Sequence, residues 1–172
     1  MVRRKAVFNA VSTVLAVRGY RDKQVPEDVI RRIIEAGRLT ASSQNGQPWH
    51  FILVEERETL QQLGSLAPSG RYTAEAAFAI VVVISHSRFG VSDGSRAIQS
   101  VMLTAWAEGV GSNWVGFRGL DSVKPLLKIP DDMEILAIVP FGYPAKRIGR
   151  GKKNRNPLAE VASRERYGEP FS

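Results

Sequence analysis

Hydrophobic side chains between Pro26 and Leu39 recur every three or four residues, and charged side chains occupy most positions between them. This spacing predicts an amphipathic helix over residues 26–39. Pro26 suits the first turn of a helix, and Glu27 and Asp28 favour the positive end of its dipole. Residues 6–16 are predicted to form another helix. The apolar stripe of the better-marked helix comprises Val29, Ile30, Ile33, Ile34 and Gly37.

A second pattern consists of short runs of β-branched and aromatic residues. The run from Ala77 to Ser85 is continuous, which predicts a strand that is covered on both faces and lies at the centre of a sheet. Further strands are predicted at Phe51–Val54, Trp114–Phe117 and Ile135–Val139. Helices and strands are mixed along the chain, so an α+β or α/β sheet covered by helices is expected, with a strand order that the pattern leaves open.

A third stretch, residues 94–107, is predicted to form a helix that Asp93 caps at its N-terminus. Its apolar stripe is wide. A core helix would show such a stripe, and so would a subunit interface, and the sequence leaves both open. The stripe comprises Ala97, Ile98, Val101, Met102, Ala105 and Trp106.

Composition narrows the possible functions. The 172 residues, with 44% hydrophobic and 24% charged side chains, fit one globular domain over residues 1–172. The chain has no cysteine, and His50 and His86 lack metal-ligand spacing, so no metal site is expected. No serine-hydrolase elbow, Walker loop or dinucleotide fingerprint is present, and no catalytic side chain is predicted. The longest apolar run, Ala76–Ile84, is too short to span a membrane, so a cytoplasmic location without membrane association is expected.

The net charge of +7 is most concentrated in residues 146–155, a glycine-containing basic loop. Three interpretations are open: a solvated loop, a clamp for a phosphate group, or a nucleic-acid-binding surface. The last is disfavoured because the interleaved aromatic residues or recognition helix of such modules are missing, and no nucleic-acid partner is expected. Salt-sensitive binding to DNA or RNA would identify that alternative.

Residues 42–49, with the sequence Ser-Ser-Gln-Asn-Gly-Gln-Pro-Trp, form a polar segment between the helix at 26–39 and the strand at 51–54. Serine, asparagine, glycine and proline are common in plain turns. The same segment is also rich in uncharged hydrogen-bonding groups, which suit a polar heterocycle or sugar chain without the cost of burying a charge.

Four motifs in order along the chain resemble those of the nitroreductase family of flavoproteins, from about Asn9 to Phe171. The first is Arg18-Gly-Tyr20 with Asp22-Lys-Gln-Val-Pro26, and the second is Ser42-Ser43-x-Asn45-x-Gln47-Pro48-Trp49. The third is Glu108-Gly-Val-Gly-Ser-Asn-Trp-Val-Gly-Phe117. The fourth is Gly142-Tyr-Pro144 with Lys152-Lys-Asn-Arg155-Asn-Pro-Leu158 and Glu160-Val161.

The resemblance implies an α+β fold, with a nitroreductase-like mixed or antiparallel central sheet flanked by helices, in a homodimer whose flavin sites lie between the subunits. It implies FMN as cofactor and hydride transfer from NADH or NADPH to the flavin and then, by a ping-pong scheme, to a small acceptor such as a nitroaromatic or a quinone. The implied cofactor-binding residues are Arg18, Ser42, Ser43, Asn45, Gln47, Ser112, Asn113, Trp114, Val115, Gly116, Lys153 and Arg155.

The chain departs from the family pattern just before Arg18. The family usually carries Arg-Arg-Ser there, where the first arginine and the serine help bind the phosphate, and this chain has Val14, Leu15 and Ala16. The phosphate would then depend on Arg18, Lys153 and Arg155. A related cofactor such as a deazaflavin, or a specific metabolite as substrate, is the alternative within the same fold. The chain is also short for the family, which implies a shallow, open pocket.

Overall fold

Four strands form one antiparallel sheet in the computed structural model, which describes residues 4–116, 119–146 and 153–171. The strands are β1 (Trp49–Val54), β2 (Phe78–Ser85), β3 (Gly111–Ser112) and β4 (Met133–Gly142), in the order β1-β2-β4-β3. β2 is thus an inner strand, paired with β1 on one side and β4 on the other. This confirms the prediction for residues 77–85, and the fold class is α+β.

Both faces of β2 are buried, which explains why its sequence does not alternate. Phe78, Ile80, Val82 and Ile84 pack against a cluster that includes residues of α2 (Glu27–Arg38) and α4 (Gly90–Ala107). Ala79, Val81 and Val83 face the other way, towards Leu60 and Leu63 of α3 (Arg57–Leu66). A strand between two helical layers needs apolar side chains at every position.

α2 and α4 pack side by side and run in opposite directions. Arg32 of α2 donates to Glu108, just after the end of α4, at 3.0 Å, whereas Thr40, just after α2, donates to Ser100 at 2.8 Å. The helices can approach because Gly37 has no side chain: a Cβ there would lie 3.1 Å from Cγ1 of Val101 on α4, and 2.8 Å from the Phe51 ring of β1. The helix predicted at 26–39 is confirmed, because α2 spans Glu27–Arg38.

α4 resolves the alternatives that its wide apolar stripe left open. Ala97, Ile98, Val101 and Ala105 are fully buried within the single chain, and Met102 and Trp106 are partly buried. The stripe is mainly core. The predicted N-cap is wrong, because α4 begins at Gly90 and Asp93 lies inside its first turn, where its carboxylate bonds to another part of the chain.

Segment 14–21 is extended and pairs at two places along the chain. α1 (Arg4–Thr13) ends three residues earlier than predicted. Beyond it the backbone bonds to β3 and no longer within the helix: the Val17 N–H donates to the Ser112 carbonyl at 2.9 Å. Tyr20 forms a β-bridge with Pro144. β3 lies before the strand predicted at 114–117. Of the residues of that strand that the structure describes, 114–116, only Val115 makes a bridge, with Ile138. The sequence patterns also missed α3, α5 (Lys124–Leu127) and α6 (Leu158–Val161).

Candidate functional site

Residues 42–47, here called the donor loop, connect α2 to β1 and are held by one buried carboxylate. Asp93, whose side chain is 1% exposed, accepts from the Ser43 N–H at 2.9 Å and from the Ser43 hydroxyl at 3.0 Å. Arg96 donates to the same carboxylate and, at 3.3 Å, to the Ser43 hydroxyl. Multiple partners offset the cost of burying a carboxylate. This network fixes the start of the donor loop against the first turn of α4.

The backbone of the donor loop is unusual. Gln44, Asn45 and Gln47 all have positive φ, at 54°, 55° and 46°, a region that residues other than glycine rarely adopt. The Ser42 hydroxyl accepts from the Gln47 N–H at 3.0 Å and so closes the loop on itself. The amide side chains of Asn45 and Gln47 project to the surface, where they are exposed. The loop thus presents uncharged donors and acceptors from a backbone held in a strained conformation.

Residues 111–116 form the second predicted part of the site, and they lie beside segment 16–20. Ser112 is buried and pairs with Ala16 and Val17, while the Asn113 side chain, at 8% exposure, donates to the hydroxyl of Tyr72. Val115 is buried under the sheet edge at Ile138. The side chain of Trp114 is partly buried.

Two glycines allow segment 16–20 to lie so close to these residues. A Cβ at Gly111 would overlap the Val17 side chain, with its Cβ at 2.7 Å, and a Cβ at Gly142 would lie 2.8 Å from the Tyr20 ring. Such distances are shorter than ordinary van der Waals contact. The glycines of the third and fourth motifs therefore have a packing role, which places Arg18 beside both motifs.

A groove with a volume of about 310 Å³ runs between residues 16–19 and 144–146, and we call it the basic cleft. Arg18 and Lys146 line it. Lys153 lies at the same end of the molecule, because its Nζ donates to the Val11 carbonyl at 2.7 Å. Arg155 is exposed and its guanidinium donates to the Asn154 carbonyl. The other cations of the predicted basic loop, Arg147, Arg150 and Lys152, lie outside the described residues.

The predicted site residues fall into two groups within one chain. The first group comprises Arg18, Lys153, Ser112 and Asn113 near the C-terminal end of α4, and the second is the donor loop at its N-terminal end. Val115 and Gly116 run back along β4 towards Leu136, which lies against Gly94 near that N-terminal end. The 18 residues of α4 make a helix about 27 Å long. The two groups are therefore on the order of 20 Å apart in a single chain.

Sequence reasoning missed three residues of these two groups: Asp93 and Arg96 at the donor loop, and Tyr72 beside Asn113. All three act across 41 or more residues of sequence, so spacing along the chain could not reveal them. The signal that the sequence offers is an acidic residue, Asp93, on the otherwise apolar buried face of α4, but its position also fits a helix cap.

The donor set in both groups fits a flavin mononucleotide. Uncharged amides and hydroxyls in the donor loop suit the polar edge of the ring and its sugar-alcohol chain, whereas the lysine and arginine side chains at the basic cleft suit a phosphate. Neither group contains a carboxylate pair or a histidine that would suit hydrolysis or metal binding. The chemistry of the residues present thus agrees with the ligand that the motifs implied.

Comparison with solved structures shows which class of fold this is. A Bacteroides thetaiotaomicron protein described as a "Putative NADH dehydrogenase/NAD(P)H nitroreductase" has a TM-score of 0.86 with this chain at 25% identity, over 94% of this chain and 98% of that one. The NADPH:FMN oxidoreductase of Vibrio harveyi, solved with NAD+, has a TM-score of 0.84 at 22% identity and covers 96% and 80% of the two chains. The fold is that of the nitroreductases.

Sequence comparison gives the family itself. The model of the nitroreductase family matches residues 15–82 and 75–143. A Methanothermobacter thermautotrophicus protein with the same name as the Bacteroides protein is 33% identical over 157 residues, which are 86% of this chain and 82% of that protein. The chain belongs to the nitroreductase family and is an oxidoreductase. Within the described ranges, no helix is both long and apolar enough to cross a membrane.

Proposed function

We propose that this chain is an FMN-dependent NAD(P)H oxidoreductase that works as a homodimer, with each flavin bound between two subunits. The observation that carries the proposal is the separation of the site residues into two groups at opposite ends of α4. Each group has part of the chemistry that one FMN molecule requires. A second copy of the chain, placed antiparallel along α4, would bring the donor loop of one subunit to the basic cleft of the other.

Exposed apolar side chains support the two-chain arrangement. On α1, Val7, Phe8 and Val11 are 70%, 75% and 47% exposed. At the C-terminal end, Leu158 and Val161 are more than 60% exposed. Apolar side chains concentrated on two terminal segments are characteristic of surfaces that another chain covers.

When bound, FMN would supply the hydride chemistry between NADH or NADPH and a small acceptor, in two ping-pong half-reactions. The residues of this chain bind the flavin and orient it. Arg18, Lys153 and Arg155 hold the phosphate, the arginines with paired hydrogen bonds and the lysine as a point charge. The Val115 N–H is already bonded to the Ile138 carbonyl. The backbone N–H groups of Asn113, Trp114 and Gly116 would stabilise the negative charge that reduction places on the ring. The acceptor is a nitroaromatic, a quinone or a similar electron-poor compound.

A direct test is to express the chain in FMN-containing medium, then measure its absorption spectrum and identify the ligand released by heat. FMN absorbs blue light, and a deazaflavin absorbs at shorter wavelength, so the spectrum separates the two cofactors. Bound FMN that NADH or NADPH bleaches, and that nitroaromatic or quinone reoxidises, supports the proposal. A chain that takes up no flavin at micromolar concentration overturns it.

Complementation between damaged subunits tests where the site lies. Arg18→Ala removes a charge-assisted contact at the basic cleft, and Asn45→Asp keeps a residue that tolerates positive φ while replacing an amide by a carboxylate. Each variant alone is expected to bind FMN at least about tenfold more weakly. A mixed dimer of the two variants has one undamaged site and one doubly damaged site. It should therefore bind one FMN per dimer with normal affinity, and no such recovery is possible if each site lies within one chain.

A further inference from the structure

A short helical turn, Arg71–Glu75, lies directly against the third motif. A Cβ at Gly70 would be 2.5 Å from Cγ1 of Val115, so the absence of a side chain at Gly70 lets this turn approach residues 113–115. The approach brings Tyr72 to Asn113, whose amide donates to the tyrosine hydroxyl. Tyr72 also packs against the cluster of Val17, Tyr20 and Ala76, of which Val17 lines the basic cleft.

Hydrogen-bond accounting leaves this pair with unused donors. Asn113 has two N–H groups and one carbonyl, and Tyr72 has one O–H. Within residues 4–116, 119–146 and 153–171, the bond between the two side chains is the only side-chain hydrogen bond of either. If the amide donates, the Tyr72 O–H and one N–H are left. If the amide were turned round, both N–H groups would be left. In either case the pair retains two donors beside residues 112–116.

We propose that Tyr72, which lies beside residues 113–115 and outside the lining of the basic cleft, is a ligand-binding residue whose hydroxyl donates a hydrogen bond to an acceptor atom on the polar edge of the flavin ring. Asn113 acts as the positioning residue that fixes the hydroxyl. The inference rests on the proposed function, because it concerns the flavin. It adds to the site a residue from a segment outside all four sequence motifs.

The acceptor atoms of the flavin ring explain why an uncharged donor suits the position of Tyr72. The cations at the basic cleft match the phosphate at one end of FMN, whereas the ring carries carbonyl oxygens and ring nitrogens that accept hydrogen bonds without a full charge in the oxidised state. A phenol O–H can donate to such an atom and can bond more strongly when reduction adds negative charge. The Tyr72 contact should therefore favour the reduced flavin over the oxidised one.

The test substitutes Tyr72→Phe, which retains the ring that packs against the cluster of Val17, Tyr20 and Ala76 and removes only the hydroxyl. The variant should bind FMN about two- to tenfold more weakly, as expected for one neutral hydrogen bond. Its bound flavin should show a shifted absorption band and a lower reduction potential than the wild type. Gln61→Glu, at an exposed position on α3 behind the other face of the sheet, is the control and should leave all three quantities unchanged.

A double-mutant cycle with Asn113→Ala separates binding from a merely structural role. Once Asn113 is removed, the additional effect of Tyr72→Phe on FMN affinity should shrink, because the hydroxyl is no longer fixed. A Tyr72→Phe protein with unchanged affinity, spectrum and potential overturns the inference while the wild type still binds flavin. A wild type that binds no flavin instead overturns the proposed function. A loss of urea stability in the apo variant without any spectral shift assigns Tyr72 a packing role and also contradicts the inference.

Discussion

At the scale of single residues, a buried acid determines the shape of the donor loop. Asp93 bonds to the backbone and hydroxyl of Ser43 and to Arg96. These contacts join the first turn of α4 to a loop 50 residues earlier. The loop contains three non-glycine residues with positive φ, and such a backbone persists only where its surroundings hold it. Asp93 therefore positions the donor loop, although it is not one of the residues that the motifs name.

Tyr20 gives a prediction about pH. Its hydroxyl donates to the carbonyls of Val17 at 2.8 Å and Pro140 at 3.2 Å. Burial raises the pKa of Tyr20 far above that of a free tyrosine, and nearby Tyr72 raises it further. The folded chain therefore keeps the phenol protonated, whereas the unfolded chain releases its proton near pH 10. The stability from this group is complete below pH 10 and is lost as pH rises above it.

The stability advantage of the wild type over Tyr20→Phe should shrink by about 1.4 kcal/mol for each pH unit above 10. Urea unfolding of both proteins at pH 9 and pH 11 measures this, and comparing the two proteins cancels the titration of lysines. An advantage that stays constant between the two pH values would show that the phenol ionises in the folded state as readily as in the unfolded one.

The site residues that could be predicted were those carried by contiguous motifs. The motif of residues 42–49 identified the donor loop, and the motif of residues 108–117 identified the segment at the end of α4. Asp93, Arg96 and Tyr72 could not be predicted, because each reaches the site through a contact that only the folded chain creates. The distance between the two groups of residues was equally hidden, since it depends on the direction of α4.

At the scale of elements, the packing of segment 16–20 against β3 depends on a missing side chain. Gly111→Ala would push a methyl group into Val17, which is 3% exposed and has no space to move. Overpacking of this kind costs about 1 to 3 kcal/mol. Urea denaturation should show this loss. Gly19→Ala is the matched control, because its Cβ would meet nothing closer than 3.8 Å, and its stability should remain within about 1 kcal/mol of the wild type. Equal losses in the two variants would contradict the packing argument.

The elements differ in how well their sequences predicted them. β2 was predictable because burial on both faces demands an uninterrupted apolar run, and α2 because its charged face is distinct from its apolar face. α3 was missed because only a narrow line of leucines, including Leu60 and Leu63, faces the core. β3 contains two residues, and its pairing with β4 decides its position, which local sequence does not encode.

At the scale of the whole molecule, α1 offers a test of the proposed dimer. Phe8→Asp should leave the single chain folded, since the side chain is 75% exposed there, but would place an unpaired charge in the proposed interface. Sedimentation equilibrium should show dimers that dissociate at least about tenfold more readily, with a parallel loss of FMN. Gln61→Glu, at an exposed position on α3 behind the other face of the sheet, should leave dimer dissociation and FMN content unchanged. A Phe8→Asp protein with the wild-type mass and flavin content would exclude α1 from the interface.

The length of α4 has a consequence for how the protein responds to its own concentration. If α4 keeps the two halves of the flavin site apart in a single chain, flavin binding and dimerisation are one linked equilibrium. Dilution should then release the ligand, and added ligand should hold the subunits together, by about 2.7 kcal/mol per site at a hundredfold excess over the dissociation constant. In a cell that makes little of this chain, the supply of flavin would thus set how much of it is assembled.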